Sequence, residues 1–195
     1  MNSAFRNALA ASLVFGLLAC APARNAAPAS TAPVSTASAS TVAPASSLPA
    51  ALLPPTGQTQ FLKAAAVGVQ IYACKAKADN SGFEWAFKAP EATLTSGGTI
   101  IKHYGGPTWE APDGSKVIAE VKGRFSSDPS AIPWLLLAAK STSGTGILTN
   151  ATFIQRLETT GGLAPTSGCD ASKLEAEARV PYTSDYAFFS NTPSK

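Results

Sequence analysis

This sequence predicts an all-β domain, an antiparallel β-sandwich or β-barrel of about seven to nine short strands with little helix. Three observations carry that prediction. From Gln60 onward, apolar residues recur with a period of two, which places one set on a core face and the other toward solvent. Clusters of Gly, Pro, Asn, Asp and Ser interrupt the alternation at short intervals, as turns do. Only Ala171–Ala178, behind Asp170 as a candidate N-cap, could form a helix, and it is short.

The strands follow in order. Val67, Val69, Ile71 and Ala73 alternate with Gly68, Gln70, Tyr72 and Cys74, and Phe83, Trp85 and Phe87 alternate with Glu84, Ala86 and Lys88. Trp85, between two phenylalanines, is assigned to the core. Gly98–Tyr104 and Thr108–Ala111 are the next candidates. Pro112-Asp113-Gly114-Ser115 is a strong hairpin signal leading into Lys116–Phe125, where Val117, Ala119, Val121, Gly123 and Phe125 form one face. Ile132–Ala139 is apolar on both faces, as a central strand would be. Ile147–Glu158 and Arg179–Phe189 complete the set.

The region before the strands is organised differently. Arg6, an apolar stretch from Ala8 to Leu18, and Leu17-Leu18-Ala19-Cys20 have the layout of a bacterial lipoprotein signal. The apolar run is about eleven residues, well short of the roughly 20 needed to span a bilayer. Residues 1–19 are therefore read as a signal peptide, with Cys20 as the lipidated new N-terminus. The residue after Cys20 is Ala21 and not aspartate, which by analogy with lipoprotein sorting predicts the outer membrane of a Gram-negative bacterium. Ala21 to Leu48 is almost wholly Ala, Pro, Ser and Thr. Such a composition buries too little apolar surface to fold, so residues 20–48 are read as a lipidated tether reaching about 35 Å as a coil and up to ~90 Å if stretched. Residues 49–195 form the single β domain.

Composition narrows the function classes. Loss of residues 1–19 removes only Arg6, so the net charge of +3 falls by one and is spread without a basic run. That gives no footprint for nucleic acid. With Cys20 assigned to lipid, Cys74 and Cys169 remain. Two thiols in an exported chain are read as a disulfide, the alternative being two separate buried thiols. Closing a loop of roughly 95 residues would contribute about 4–5 kcal/mol on the chain-entropy model. One histidine and two distant cysteines have no metal-ligand spacing, so no metal is predicted.

Several longer motifs resemble a known family. Val69-Gln70-Ile71-Tyr72-Ala73-Cys74 and Trp85–Ala92 are similar to its opening strands. His103-Tyr104-Gly105-Gly106-Pro107-Thr108-Trp109-Glu110, Asp113-Gly114-Ser115 and Ile132-Pro133-Trp134-Leu135-Leu136 are similar to its middle. Ile154-Gln155-Arg156-Leu157, Gly161-Gly162, Gly168-Cys169-Asp170 and Val180-Pro181-Tyr182 are similar to its end. The family is domain of unknown function 3455, found in bacterial envelope proteins and secreted fungal proteins, and the resemblance covers about residues 49 to 190. It implies an envelope or secreted location and no particular activity. Some fungal members carry a malate dehydrogenase label, but Ser143-Gly144-Thr145-Gly146 lies between strand candidates and lacks the third glycine of a nicotinamide fingerprint. No cofactor is predicted.

The candidate ligand-binding residues are His103, Tyr104, Trp109, Glu110 and Trp134. His103, the sole histidine, would be the base of any enzyme, with Glu110 or Asp113 orienting it. The reading preferred is a hydrogen-bonding residue that holds the Gly105–Glu110 loop, and no catalytic residue is assigned, since no Gly-x-Ser-x-Gly elbow singles out a serine. Indoles such as Trp109 and Trp134 can stack on flat apolar ligands, and each has a core alternative. Gln155 and Arg156 fall on opposite faces of one strand. A buried Arg156 would need a carboxylate such as Glu110 or Asp185. These features predict a lipid-anchored, non-catalytic binding module for an envelope protein, a glycan or a small apolar molecule. The alternatives are a hydrolase-like enzyme centred on His103 and a purely structural envelope protein.

Overall fold

The computed structural model describes residues 48–192. Residues 1–47, with the signal, Cys20 and nearly all of the tether, and residues 193–195 lie outside the described part. Eight strands run up and down in chain order: β1 (Gln58–Ala76), β2 (Phe83–Ser96), β3 (Thr99–Tyr104), β4 (Thr108–Glu110), β5 (Lys116–Phe125), β6 (Trp134–Ser143), β7 (Phe153–Gly161) and β8 (Glu177–Asn191). Every neighbouring pair is antiparallel, and β8 returns to pair with β1, closing a barrel. The choice between sandwich and barrel is thus decided for the barrel. An eight-stranded barrel has an interior that side chains fill or that holds one small ligand.

A period of two sets the inward face, but on β1 the inward set continues through Gln70 and not through the apolar Val67, which is 69% exposed. Leu62, Ala64 and Ala66 of β1, Leu94 of β2, Ile101 of β3, Val117 and Ala119 of β5, Ile154 of β7 and Phe188 of β8 are all buried in one core. One end of the barrel is plugged by Leu148, which is completely buried. The Pro112-Asp113-Gly114 turn holds that plug. Asp113 Oδ2 accepts from the Ile147 amide at 2.7 Å, and Ser115 Oγ accepts from the Leu148 amide at 3.0 Å. These bonds keep residues 147–150 in a turn, and β7 starts at Phe153, six residues later than the alternation from Ile147 suggests.

Two further expectations are corrected. The predicted helix over Ala171–Ala178 is a single 3-10 turn, Ala171–Lys173, although Asp170 does cap it by accepting from the Ser172 amide. The backbone beyond it pairs with β1 instead, Glu175 N donating to Cys74 O and Cys74 N to Ala176 O. Trp85 is only half-buried, outside the core cluster, and its Nε1 donates to Ser167 O at 2.8 Å. Gln155 and Arg156 do fall on opposite faces of β7, and both are buried, because the 3-10 turn Ala50–Leu52 lies across the outside of the barrel and Leu52 O accepts from Gln155 Nε2 at 2.7 Å.

Two features shape the end opposite the Leu148 plug. β2 pairs with β3 only over Ala92–Ser96, so Phe83–Glu91 extends past the wall with β1 as its single partner. β4 meets β5 only at Lys116–Ile118, so Ala119–Phe125 also extends beyond it. Between these tall strands the short β3–β4 hairpin stops at Gly105-Gly106-Pro107 and leaves a notch, bridged by a bond from Ala119 N to Pro107 O. The tall β1–β2 wall is braced by residues 162–170. Tyr72 Oη donates to Gly162 O at 2.6 Å, and Cys74 is disulfide-bonded to Cys169 with their Cα atoms 5.3 Å apart.

Candidate functional site: a barrel cavity

Behind the notch lies a cavity of about 360 Å³, within the usual range of ~300–1,000 Å³ for small-molecule sites. Its floor is an aromatic layer. The His103 ring stacks on Trp109 with centroids 4.4 Å apart and planes 7° from parallel, and Tyr186 meets both edge-on at 5.5 and 5.7 Å. These three side chains come from β3, β4 and β8, and all point inward because their strands alternate in register. The walls are apolar, with Ile132, Leu135 and Leu137 on one side and Val121 and Phe87 toward the mouth.

His103 is 3% exposed, and its Nδ1 contacts Thr108 O at 2.9 Å. A carbonyl can only accept, so Nδ1 carries the proton. Burial pushes the His103 pKa down to about 4, the Thr108 bond opposes this, and the positive charge of Arg156 lowers it further. The ring is therefore neutral near pH 7. Its Nδ1 partner is the backbone of the Gly105–Glu110 loop, and neither Glu110 nor Asp113 orients it: Asp113 belongs to the turn at the far end.

Arg156 enters the cavity from β7 and is 9% exposed. Its Nη2 donates to Pro133 O at 2.8 Å, while its Nε has no partner among the described residues. The carboxylates suggested for it are committed elsewhere. Glu110 bonds Tyr104 Oη at 2.6 Å and Lys116 Nζ at 3.2 Å, and Asp185 bonds Lys63 at 2.8 Å. Gln70, Trp109 and Tyr186 also line the cavity; Trp109 Nε1 is likewise buried without a partner among the described residues, whereas Gln70 and the Tyr186 hydroxyl lie in hydrogen-bonding reach of Tyr182. Beside them Tyr182 is held far above the ordinary tyrosine pKa, first by burial and then by its neighbour Tyr186.

Of the five predicted ligand-binding residues, His103 and Trp109 meet in the cavity. Tyr104 and Glu110 alternate with them onto the outer wall, where Lys116 lies over the Tyr104 ring and the Tyr104 and Lys116 bonds hold the Glu110 carboxyl below its usual range. Trp134 opens β6 against Phe125, ring centroids 6.2 Å apart, away from the cavity lining. Sequence reasoning missed Gln70, Tyr186 and the unpaired role of Arg156. The period of two through Tyr182, Ser184, Tyr186 and Phe188 carried the signal for the β8 tyrosines; nothing local marked Gln70.

The family described as protein of unknown function (DUF3455) matches residues 95–190, from the end of β2 through most of β8. His103, Trp109, Arg156 and Tyr186 fall inside that stretch, and Gln70 and the tall β1–β2 wall fall before it. No curated protein and no solved structure matches the chain.

Proposed function

We propose that this chain, whose residues 95–190 belong to the DUF3455 family, is a lipid-anchored cell-envelope protein that binds a small apolar molecule inside its barrel without transforming it. The observation that carries the reading is the cavity behind the notch: apolar walls, an aromatic floor, and the buried Arg156 Nε and Trp109 Nε1 left without partners among the described residues. Buried polar groups are normally satisfied, and a bound molecule is the means by which these would be. The volume suits one small molecule and not a protein or an extended glycan. A histidine whose pKa burial pushes down to about 4 is a weak base, which favours a lining role over that of a general base. The Cys74–Cys169 disulfide fits an exported location, and the Leu-Leu-Ala-Cys20 junction supports anchoring at the outer membrane.

Thermal unfolding of the full chain against a panel of small amphiphiles tests the binding reading, since a ligand of the folded state raises the midpoint by mass action. We expect shifts from medium-chain amphiphiles that are lost in Val121→Trp, which narrows the mouth. No shift from any member, or shifts untouched by Val121→Trp, would overturn it. Mass spectrometry of the mature N-terminus tests the anchor: an acylated Cys20 is expected, and an unmodified one refutes it.

A further inference from the structure

We infer that Arg156 is the anion-binding residue of the cavity and that the ligand is an apolar monocarboxylate, seated with its carboxylate on the guanidinium and its body along Ile132, Leu135 and Leu137. This rests on the binding reading above and deepens it by naming the ligand class.

A guanidinium cannot shed its proton, so Arg156 carries its charge into a site where it is about nine-tenths buried. A buried charge is costly unless it is paired. Among the described residues one carbonyl, Pro133 O, is its only hydrogen-bond partner, and no Asp or Glu lines the cavity or forms an ion pair with it. His103 adds no second charge and cannot serve as a counter-ion. The described residues leave this site open to an anionic ligand.

The polar atoms left over are of one kind. Arg156 Nε and Trp109 Nε1 have no partner among the described residues, and both are donors. A cavity that offers donors in excess selects a ligand rich in acceptors. A single planar fork matches a carboxylate, which accepts two parallel N–H bonds; one cation among neutral donors suits a monoanion better than a doubly charged phosphate. The approach has the same sign. Lys88 and Arg124 stand at the mouth with no carboxylate in the lining, Lys88 being partly neutralised by its bond to Glu177.

Calorimetric titration of the full chain with decanoate and with decanamide, which share one apolar body, tests the inference. Wild type is expected to bind decanoate about tenfold or more tighter than decanamide, the scale of a charged hydrogen bond. In Arg156→Met the preference should vanish while decanamide binding stays. The ligand-free Arg156→Met protein should also unfold no earlier than wild type, because an unpaired buried charge has been removed; an arginine kept for stability would give a lower midpoint. Equal affinities in wild type, or a preference that survives Arg156→Met, overturn the anion assignment and leave the binding reading standing. If neither compound binds wild type, the binding reading falls and this inference with it. Should Arg156→Met fail to fold, Arg156→Lys decides: it keeps the charge without the fork, so an undiminished decanoate preference overturns the assignment.

Discussion

His103 sits between a stacked indole and a tyrosine edge, with its one proton committed to Thr108 O. Its pKa is lowered from 6.5 to about 4 on folding, so between those values the unfolded chain binds more protons than the folded one. Stability therefore rises with pH through that window, and is lost as pH falls from about 6.5 toward 4, by up to about 3 kcal/mol. His103→Gln should flatten this acid limb. At neutral pH His103→Ala should lower stability by about 1–3 kcal/mol by stranding the Thr108 carbonyl, and His103→Gln should recover part of the loss. Chemical denaturation of the three proteins across pH checks both; unchanged midpoints would refute the structural role. That His103 supports the Gly105–Glu110 loop was legible from its neighbours in sequence. That it also floors a cavity was not, because Tyr186 reaches it from a strand some eighty residues away in a closed barrel.

Among the elements, the 3-10 turn Ala50–Leu52 depends most on a single backbone position. Its Ala51 carbonyl passes so close to β5 that a Cβ on Gly123 would lie 1.9 Å from the oxygen. Gly123→Ala should therefore push the turn away, release the Gln155–Leu52 bond and expose Leu52. We expect a loss of about 1–3 kcal/mol, as for overpacking, and faster proteolytic cutting near Leu53; wild-type cutting rates would refute the contact. The same turn explains why Gln155 and Arg156 are both buried: period two correctly separates the two faces of β7, and the outer face is covered too. The strand proposed from Ile147 fails for a related reason. Ile147 and Leu148 are apolar enough for a strand, and two side-chain bonds from the distant Asp113–Ser115 turn hold them as a plug.

At the scale of the whole molecule, the barrel is closed by pairing β1 with β8 and braced by the Cys74–Cys169 bridge, whose partners are 95 residues apart. Loss of that bridge should lower stability by about 4–5 kcal/mol on the chain-entropy model. Cys169→Ser, compared with wild type under non-reducing conditions, checks the magnitude, and alkylation without reductant should find neither thiol free. The bridge also fixes residues 162–170 against the tall β1–β2 wall beside the cavity mouth, so Cys169→Ser should weaken decanoate binding as well as stability.

Local physics was enough for much of this protein. A period of two with turn-forming breaks determines an all-β domain, because side-chain direction alternates in any strand whatever its partners. The Pro112-Asp113-Gly114 hairpin needs only its own residues, and the cysteine count in an exported chain points to one bridge. Closure into a barrel was decided only in three dimensions. Gln58 lies 133 residues from Asn191, its partner across the seam, and no pattern within either strand records that pairing. The cavity is a consequence of closure and of unequal strand lengths, which bring Gln70, His103, Trp109, Arg156 and Tyr186 from five strands to one space. Whether Arg156 has a carboxylate partner also depends on that arrangement: Glu110 and Asp185 are both in the sequence, and the alternation of β4 and β8 turns them to the outside of the wall.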